Sequence, residues 1–165
     1  MNQPVDHSMK FKELMGNYPT GVTIVTAVDD AGSPVGLTVN SFASVSIDPM
    51  LVLWSIDDRA STFPVFMNAD KFNVNILAAD QADLVKVFTT KGINRFDHCE
   101  WEMSDHGLPV LANTAGSFQC KVHQRVKAGD HVTMIGEVLE IHSNQKPPLL
   151  YHKRNVGPIP EEFYK

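Results

Sequence analysis

The clearest signals along the chain are β-branched and aromatic runs of strand length. Val22 to Val28 is one such run. The turn cluster Asp29-Asp30-Ala31-Gly32-Ser33-Pro34 follows it and predicts a hairpin returning through Val35 to Val39. Phe42 to Ile47 and Leu51 to Ile56 predict two further strands joined at Asp48-Pro49. Phe72-Asn73-Val74-Asn75-Ile76-Leu77 alternates apolar and polar residues, as a half-buried strand does. Ser117 to Val126 and Val132 to Ile141 predict two long strands, and Lys127-Ala128-Gly129-Asp130 is short enough to join them as an antiparallel hairpin.

Helical spacing is sparser. Lys10 to Gly16 predicts a first helix with Met9, Leu14 and Met15 facing a core, ended by Tyr18-Pro19-Thr20-Gly21. Ser61 or Thr62 can cap a short helix carrying Phe63, Val65 and Phe66. Asp80 can cap a third helix through Phe88, with Asp83 in its first turn. Residues 1–8 read as a flexible start, 9–154 as one domain and 155–165 as an extended tail. Many strands, few short helices and no regular strand–helix alternation predict a mainly β fold, a barrel with peripheral helices, and argue against a doubly wound parallel sheet.

Composition narrows the function classes. A chain of 165 residues is expected to form one domain. Its net charge of −5 makes a nucleic-acid partner an unfavourable expectation. No 18-residue apolar run and no basic-then-apolar start is present, so no membrane association and a cytoplasmic location are expected. Cys99 and Cys120 are isolated and read as reduced thiols, with Cys120 a packed one. There is no Gly-x-Gly-x-x-Gly after a strand, no P-loop and no Gly-x-Ser-x-Gly elbow. The seven histidines lack zinc spacing, so no metal is expected.

Three constellations carry candidate chemistry. The first is Thr38 to Pro49, where Thr38, Asn40, Ser41, Ser44 and Ser46 interrupt a strand-like run. Small hydroxyls and an amide do not improve a dry core, because each unpaired buried polar group costs about 1–3 kcal/mol. They suit a sheet edge that hydrogen-bonds a flat polar ligand; the alternative is bonding to neighbouring backbone at a bulge. Ser44 and Ser46 flank Val45 and are expected on one face. The second is Ser55, Arg59, Ser61 and Thr62, where a guanidinium fork and a helix start would suit a phosphate. The alternative is a solvated Arg59 balancing Asp57 and Asp58. The third is Gly129-Asp130-His131, a tight turn whose carboxylate can orient an imidazole for chemistry or simply bond it.

Pro19-Thr20-Gly21-Val22-Thr23-Ile24-Val25-Thr26, Gly36 to Ser46, Phe72 to Leu77, Gln81, Leu84, Arg95-Phe96, Gly107 to Leu111, Cys120, Gly129-Asp130-His131 and Pro148-Leu149-Leu150-Tyr151 occur in that order. The whole resembles the short-chain flavin reductases, from about Phe11 to Tyr151. The resemblance implies an antiparallel split β-barrel, a homodimer, bound FMN or FAD, NADH or NADPH as hydride donor, and a partner monooxygenase that receives reduced flavin. It assigns flavin contacts to Pro19, Thr20, Thr38, Val39, Asn40, Ser41, Ser44 and Ser46, with Ser55, Arg59, Ser61 and Thr62 toward the phosphate. It assigns the nicotinamide to Asp130, His131, Arg95 and Tyr151, with His131 as the catalytic candidate. The segment His152 to Gly157 departs from the aromatic and basic ending common in the family. A flavoredoxin-like electron carrier is the alternative on the same barrel, and the pyridoxine phosphate oxidases match less well.

Overall fold

The β-branched runs all become strands of antiparallel sheets in the computed structural model, which describes residues 6–165. The chain begins with α1 (His7–Asn17), β1 (Thr20–Gly21), β2 (Thr23–Val28), β3 (Pro34–Val39), β4 (Ala43–Ile47) and β5 (Met50–Asp57). There follow α2 (Phe63–Asn68), β6 (Lys71–Ile76), α3 (Ala82–Val87), a 3-10 turn (Arg95–His98), β7 (Trp101–Met103) and β8 (Pro109–Leu111). The chain ends with β9 (Gly116–Ala128), β10 (His131–Ser143), β11 (Leu149–His152), β12 (Asn155–Pro158) and a last 3-10 turn (Glu161–Tyr164). Seven strands form one sheet in the order β3-β2-β6-β9-β10-β5-β4; β1, β11 and β12 form a second, and β7 and β8 a third. The fold is a split β-barrel, mainly β, with short helices at its periphery.

The barrel core is built around Trp54, whose ring meets Phe66 and Phe72 edge-on at 5.0 and 5.7 Å between centroids. On β10 the core-facing positions are Val132, Met134, Gly136 and Val138. Gly136 is required there, because an added Cβ would collide with the Phe72 ring and the Cys120 Cβ. A second cluster, with Val22, Ile24, Leu77, Leu84, Phe88 and Leu149, lies on the other face of β2. Both faces of β2 are therefore covered, which explains its unbroken apolar run.

Several expectations change. In α1 no residue is buried, and Met9, Leu14 and Met15 are exposed rather than core-facing. Phe11, Leu14, Met15 and Tyr18 share the i, i+3, i+4, i+7 spacing of one apolar stripe, and all are open to solvent. Residues 1–5 of the expected flexible start lie outside the described residues, while His7 and Ser8 already belong to α1. Asp80 does not cap α3; Gln81 stands at that position, its Oε1 accepting from Ala78 N, and Asp80 pairs with Lys146. β6 is buried on both faces rather than half-buried, because β7 and β8 cover Asn73 and Asn75. Ser44 and Ser46 do not share a face: a bulge at Val45 sets Ser44 opposite Val52 and Ser46 opposite Leu51, which point to opposite sides of β5. Asn155–Pro158, in the expected tail, pairs with β11 as β12.

Candidate functional site

The barrel rim where β10 begins gathers most of the charged candidates. Antiparallel register sets His131 opposite Asp57 and Thr133 opposite Ser55. Gly129, at φ +61°, makes the tight turn into β10 that a side chain would strain. Asp130 Oδ1 lies 2.7 Å from His131 Nδ1, leaving Nε2 without a protein partner among the described residues. The imidazole is 43% exposed. Hydrogen bonding and the charge of the imidazole hold the Asp130 carboxyl below the ordinary carboxylate value.

The neighbouring loop is tied to this turn, with Asp58 N donating to Asp130 O at 3.0 Å and Lys127 Nζ bonding Asp58 Oδ2 at 2.8 Å. Arg59 forks onto Asp57, Nε to Oδ1 at 3.0 Å and Nη2 to Oδ2 at 2.8 Å. That fork holds the Asp57 carboxyl far below the carboxylate range and raises the Arg59 guanidinium still further. Two of the five guanidinium N–H groups are spent, so three remain for an anion.

Hydroxyls proposed for a ligand prove partly committed to the fold. Ser41 Oγ accepts from Ser55 N at 2.9 Å and donates to Ser55 O at 3.3 Å, fastening the exit of β3 to β5. Ser55 Oγ lies 2.9 Å from Thr133 Oγ1. Thr38 Oγ1 donates to Val85 O on α3 at 3.1 Å, and Val39 is buried in the barrel core. Asn40 and Ser44 stay exposed and Ser46 half-buried. At the start of α2, Phe63, Val65 and Phe66 N bond Ala60 and Thr62 carbonyls and Pro64 has no N–H, so only the N–H groups of Ser61 and of the N-cap Thr62 are left to face a ligand.

The remaining candidates form two further groups. Ser61, Thr62 and Arg95 line one cavity of about 280 Å³ together with Pro34 to Gly36. Arg95 is clamped there by Nη1 to Gly36 O at 2.7 Å and Nε to Thr90 O at 3.1 Å, and burial lowers its guanidinium pKa. His131 does not line this cavity. Thr20 sits directly opposite Tyr151 across β1 and β11, and Pro19 precedes it at the surface. Asp57 was named in the sequence only as a counter-charge to Arg59, and the structure has that pair, with Arg59 largely exposed; its place beside His131, and that of Thr133 beside Ser55, come only from cross-strand register.

The thiols take no part in such a site. Both are free, and burial pushes Cys99 up to about 11 and Cys120 up to about 12.

Residues 15–160 match the model of the flavin reductase like domain. The chain belongs to that family. It is 43% identical over 146 residues to the FMN reductase (NADH) SmoA of Agrobacterium fabrum, covering 88% of this chain and 83% of that one. It is 40% identical to the reductase component of the flavin-dependent trigonelline monooxygenase of Acinetobacter baylyi, over 81% of this chain but 43% of that longer one. The NADH:FAD oxidoreductase SgcE6 of Streptomyces globisporus, solved with NAD and FAD fragments, superposes with a TM-score of 0.88 at 28% identity, over 97% of this chain and 96% of that one.

The residues present fit a flavin. Among the described residues, Thr20 Oγ1 and Thr62 Oγ1 are buried without a hydrogen-bond partner, and both belong to the assigned flavin set. Orphaned hydroxyls of this kind are costly unless a ligand or water completes them.

Proposed function

We propose that the chain is an NAD(P)H:flavin oxidoreductase that takes a hydride from NADH or NADPH to FMN or FAD and passes the reduced flavin to a partner monooxygenase. The observation that carries this reading is the convergence of the Asp130–His131 pair and the Asp57–Arg59 fork on one barrel rim, fixed by the register of β5 and β10.

A bound flavin supplies the hydride acceptor, so the protein needs to position rings and exclude water rather than offer a nucleophile. His131 is the residue that positions the nicotinamide or holds a proton at Nε2, with Asp130 fixing the ring through Nδ1. Arg59 binds phosphate with its unspent N–H groups, and Asp57 holds its guanidinium in place. Thr20 and Thr62 complete their orphan hydroxyls on the flavin, and Pro19, Asn40, Ser44 and Ser46 border it. Thr38, Val39, Ser41 and Ser55 shape the wall beside it, with the hydroxyls of Thr38, Ser41 and Ser55 already held by the fold. Arg95, with three N–H groups left, and Tyr151 take the nicotinamide nucleotide.

The exposed stripe of Phe11, Leu14, Met15 and Tyr18 supports the homodimer, because an 11-residue helix without tertiary cover is marginal in water. A cytoplasmic location accords with two free thiols.

Anaerobic stopped-flow mixing with FMN or FAD and NADH or NADPH tests the proposal. Bleaching of the flavin absorbance in at least one of the four combinations is expected. Inactivity in all four overturns the enzyme, and a yellow colour that survives dialysis without bleaching would identify a carrier instead.

A further inference from the structure

The end of β10 remote from His131 carries a second polar site. Glu140 and His142 lie nine and eleven residues along that strand, roughly 30 Å or more from the rim at about 3.3 Å per residue. Register across β6, β9 and β10 aligns two rows on the face turned away from Trp54: Asn73, Gln119 and Glu140 in one, Asn75, Ser117 and His142 in the other. β7 and β8 roof the β6 end of this grid, through Asn73 Nδ2 to Pro109 O and Leu111 N to Asn75 Oδ1. Over the β9–β10 end they leave a cavity of about 490 Å³, whose lining includes Glu102, Asp105, Thr114, Ser117, Glu140 and His142.

Two independent features mark this cavity. Ser117, one of the lining residues, is only 2% exposed, and its Oγ has no partner. The lining also carries three carboxylates and neither lysine nor arginine. The Glu140 carboxylate is already held by His106 Nε2 at 3.1 Å, His142 Nε2 at 2.9 Å and Gln119 Nε2 at 3.4 Å, so its position is fixed. Gln119 is itself braced by Ser104 Oγ at 2.6 Å.

We propose that this cavity binds a small organic cation bearing N–H donors, an alkylamine or alkylguanidine. With three carboxylates and no lysine or arginine in the lining, an occupant that brings N–H donors and positive charge is favoured. Glu140 and the outer acids balance the charge, and Ser117 Oγ accepts an N–H at the cavity floor. A metal ion fits less well, because among the described residues no three or more His, Cys, Asp or Glu are arranged to hold one. The volume suits a ligand of a few heavy atoms up to a short chain. The site shares no residue with the flavin rim.

Calorimetric titration of the flavin-loaded full chain with agmatine and with putrescine, at matched ionic strength, tests this. Saturable binding of one molecule per chain is expected for at least one of them. Glu140→Gln should weaken it about ten-fold or more, and Ser117→Ala roughly three- to ten-fold, with flavin affinity unchanged. If Glu140→Gln fails to fold, Ser117→Ala and Glu102→Gln decide the matter. No saturable heat with either amine up to about 10 mM, or binding that none of the folded variants weakens, overturns the proposal.

Discussion

Asn75 and His131 both lie on strands of the seven-stranded sheet, and what separates them is cover. Asn75 is fully buried: its Nδ2 donates to Ile24 O at 2.8 Å and Thr26 Oγ1 at 3.2 Å, and its Oδ1 accepts from Asn73 Nδ2 and Leu111 N at 2.9 Å. His131 has one bonded nitrogen and stands half in solvent. The first group is spent on holding β7 and β8 against the barrel, while the second keeps capacity for something that arrives. A polar side chain in a sheet is thus structural when neighbours exhaust its donors and acceptors, and available when they do not.

The largest expected effect comes from the covered side. Asn75→Ala takes a partner from Leu111 N and Ile24 O and leaves Asn73 Nδ2 with only Pro109 O, and should lower stability by about 3 kcal/mol or more. A urea titration would show it as a lower midpoint with an unchanged slope. An unchanged midpoint would mean that the network is dispensable and the contrast with His131 false.

On the open side the order reverses, with function lost and stability kept. His131→Ala should slow flavin reduction by about 10²-fold in stopped flow, through misplacement of the nicotinamide, while the urea midpoint moves little. Equal reduction rates would remove His131 from the chemistry. Arg59→Ala should raise the flavin dissociation constant by roughly ten-fold, read by quenching of flavin fluorescence. No change would leave Arg59 as no more than the partner of Asp57.

The smallest effect is that of acid. Arg59 depresses the Asp57 carboxyl, so the fold favours its ionised form. The contribution is present in full above the unfolded value near 3.9 and disappears as pH falls through the folded one. Asp57→Asn should therefore be less stable than the parent chain above about pH 4, by a margin that closes as the pH falls further. A margin that stays constant into strong acid would mean that the ionised Asp57–Arg59 pair does not support the fold.

The same contrast explains how much was legible beforehand. β2, β3, β4, β5, β9 and β10 announced themselves, because β-branched runs bounded by turn residues need no distant information. β7 and β8 are three residues each and carry no period. Their roofing of Asn73 and Asn75 rests on contacts some 36 residues apart, so Phe72 to Leu77 read as half-buried. The helical spacing of α1 said that one face wants cover, and could not say whether this chain provides it. Asp130 and His131 were legible because they are adjacent. The Arg59–Asp57 pair was legible for the same reason, but the nearness of Asp57 to His131 and of Thr133 to Ser55 was not, because register is a property of pairs, and neither the bonding of Ser41 to Ser55 nor that of Thr38 to Val85 leaves a mark in composition.

The extra residue at Val45 has a consequence for the molecule's behaviour in crowded solution. β4 is the outermost strand of its sheet, only five residues long, and ends in Ile47, which is 89% exposed. An uninterrupted strand of that kind would invite neighbouring chains to stack alongside it. The irregular spacing of amides and carbonyls around Val45 denies an incoming strand a continuous ladder. The protein can therefore carry a greasy margin without polymerising along it.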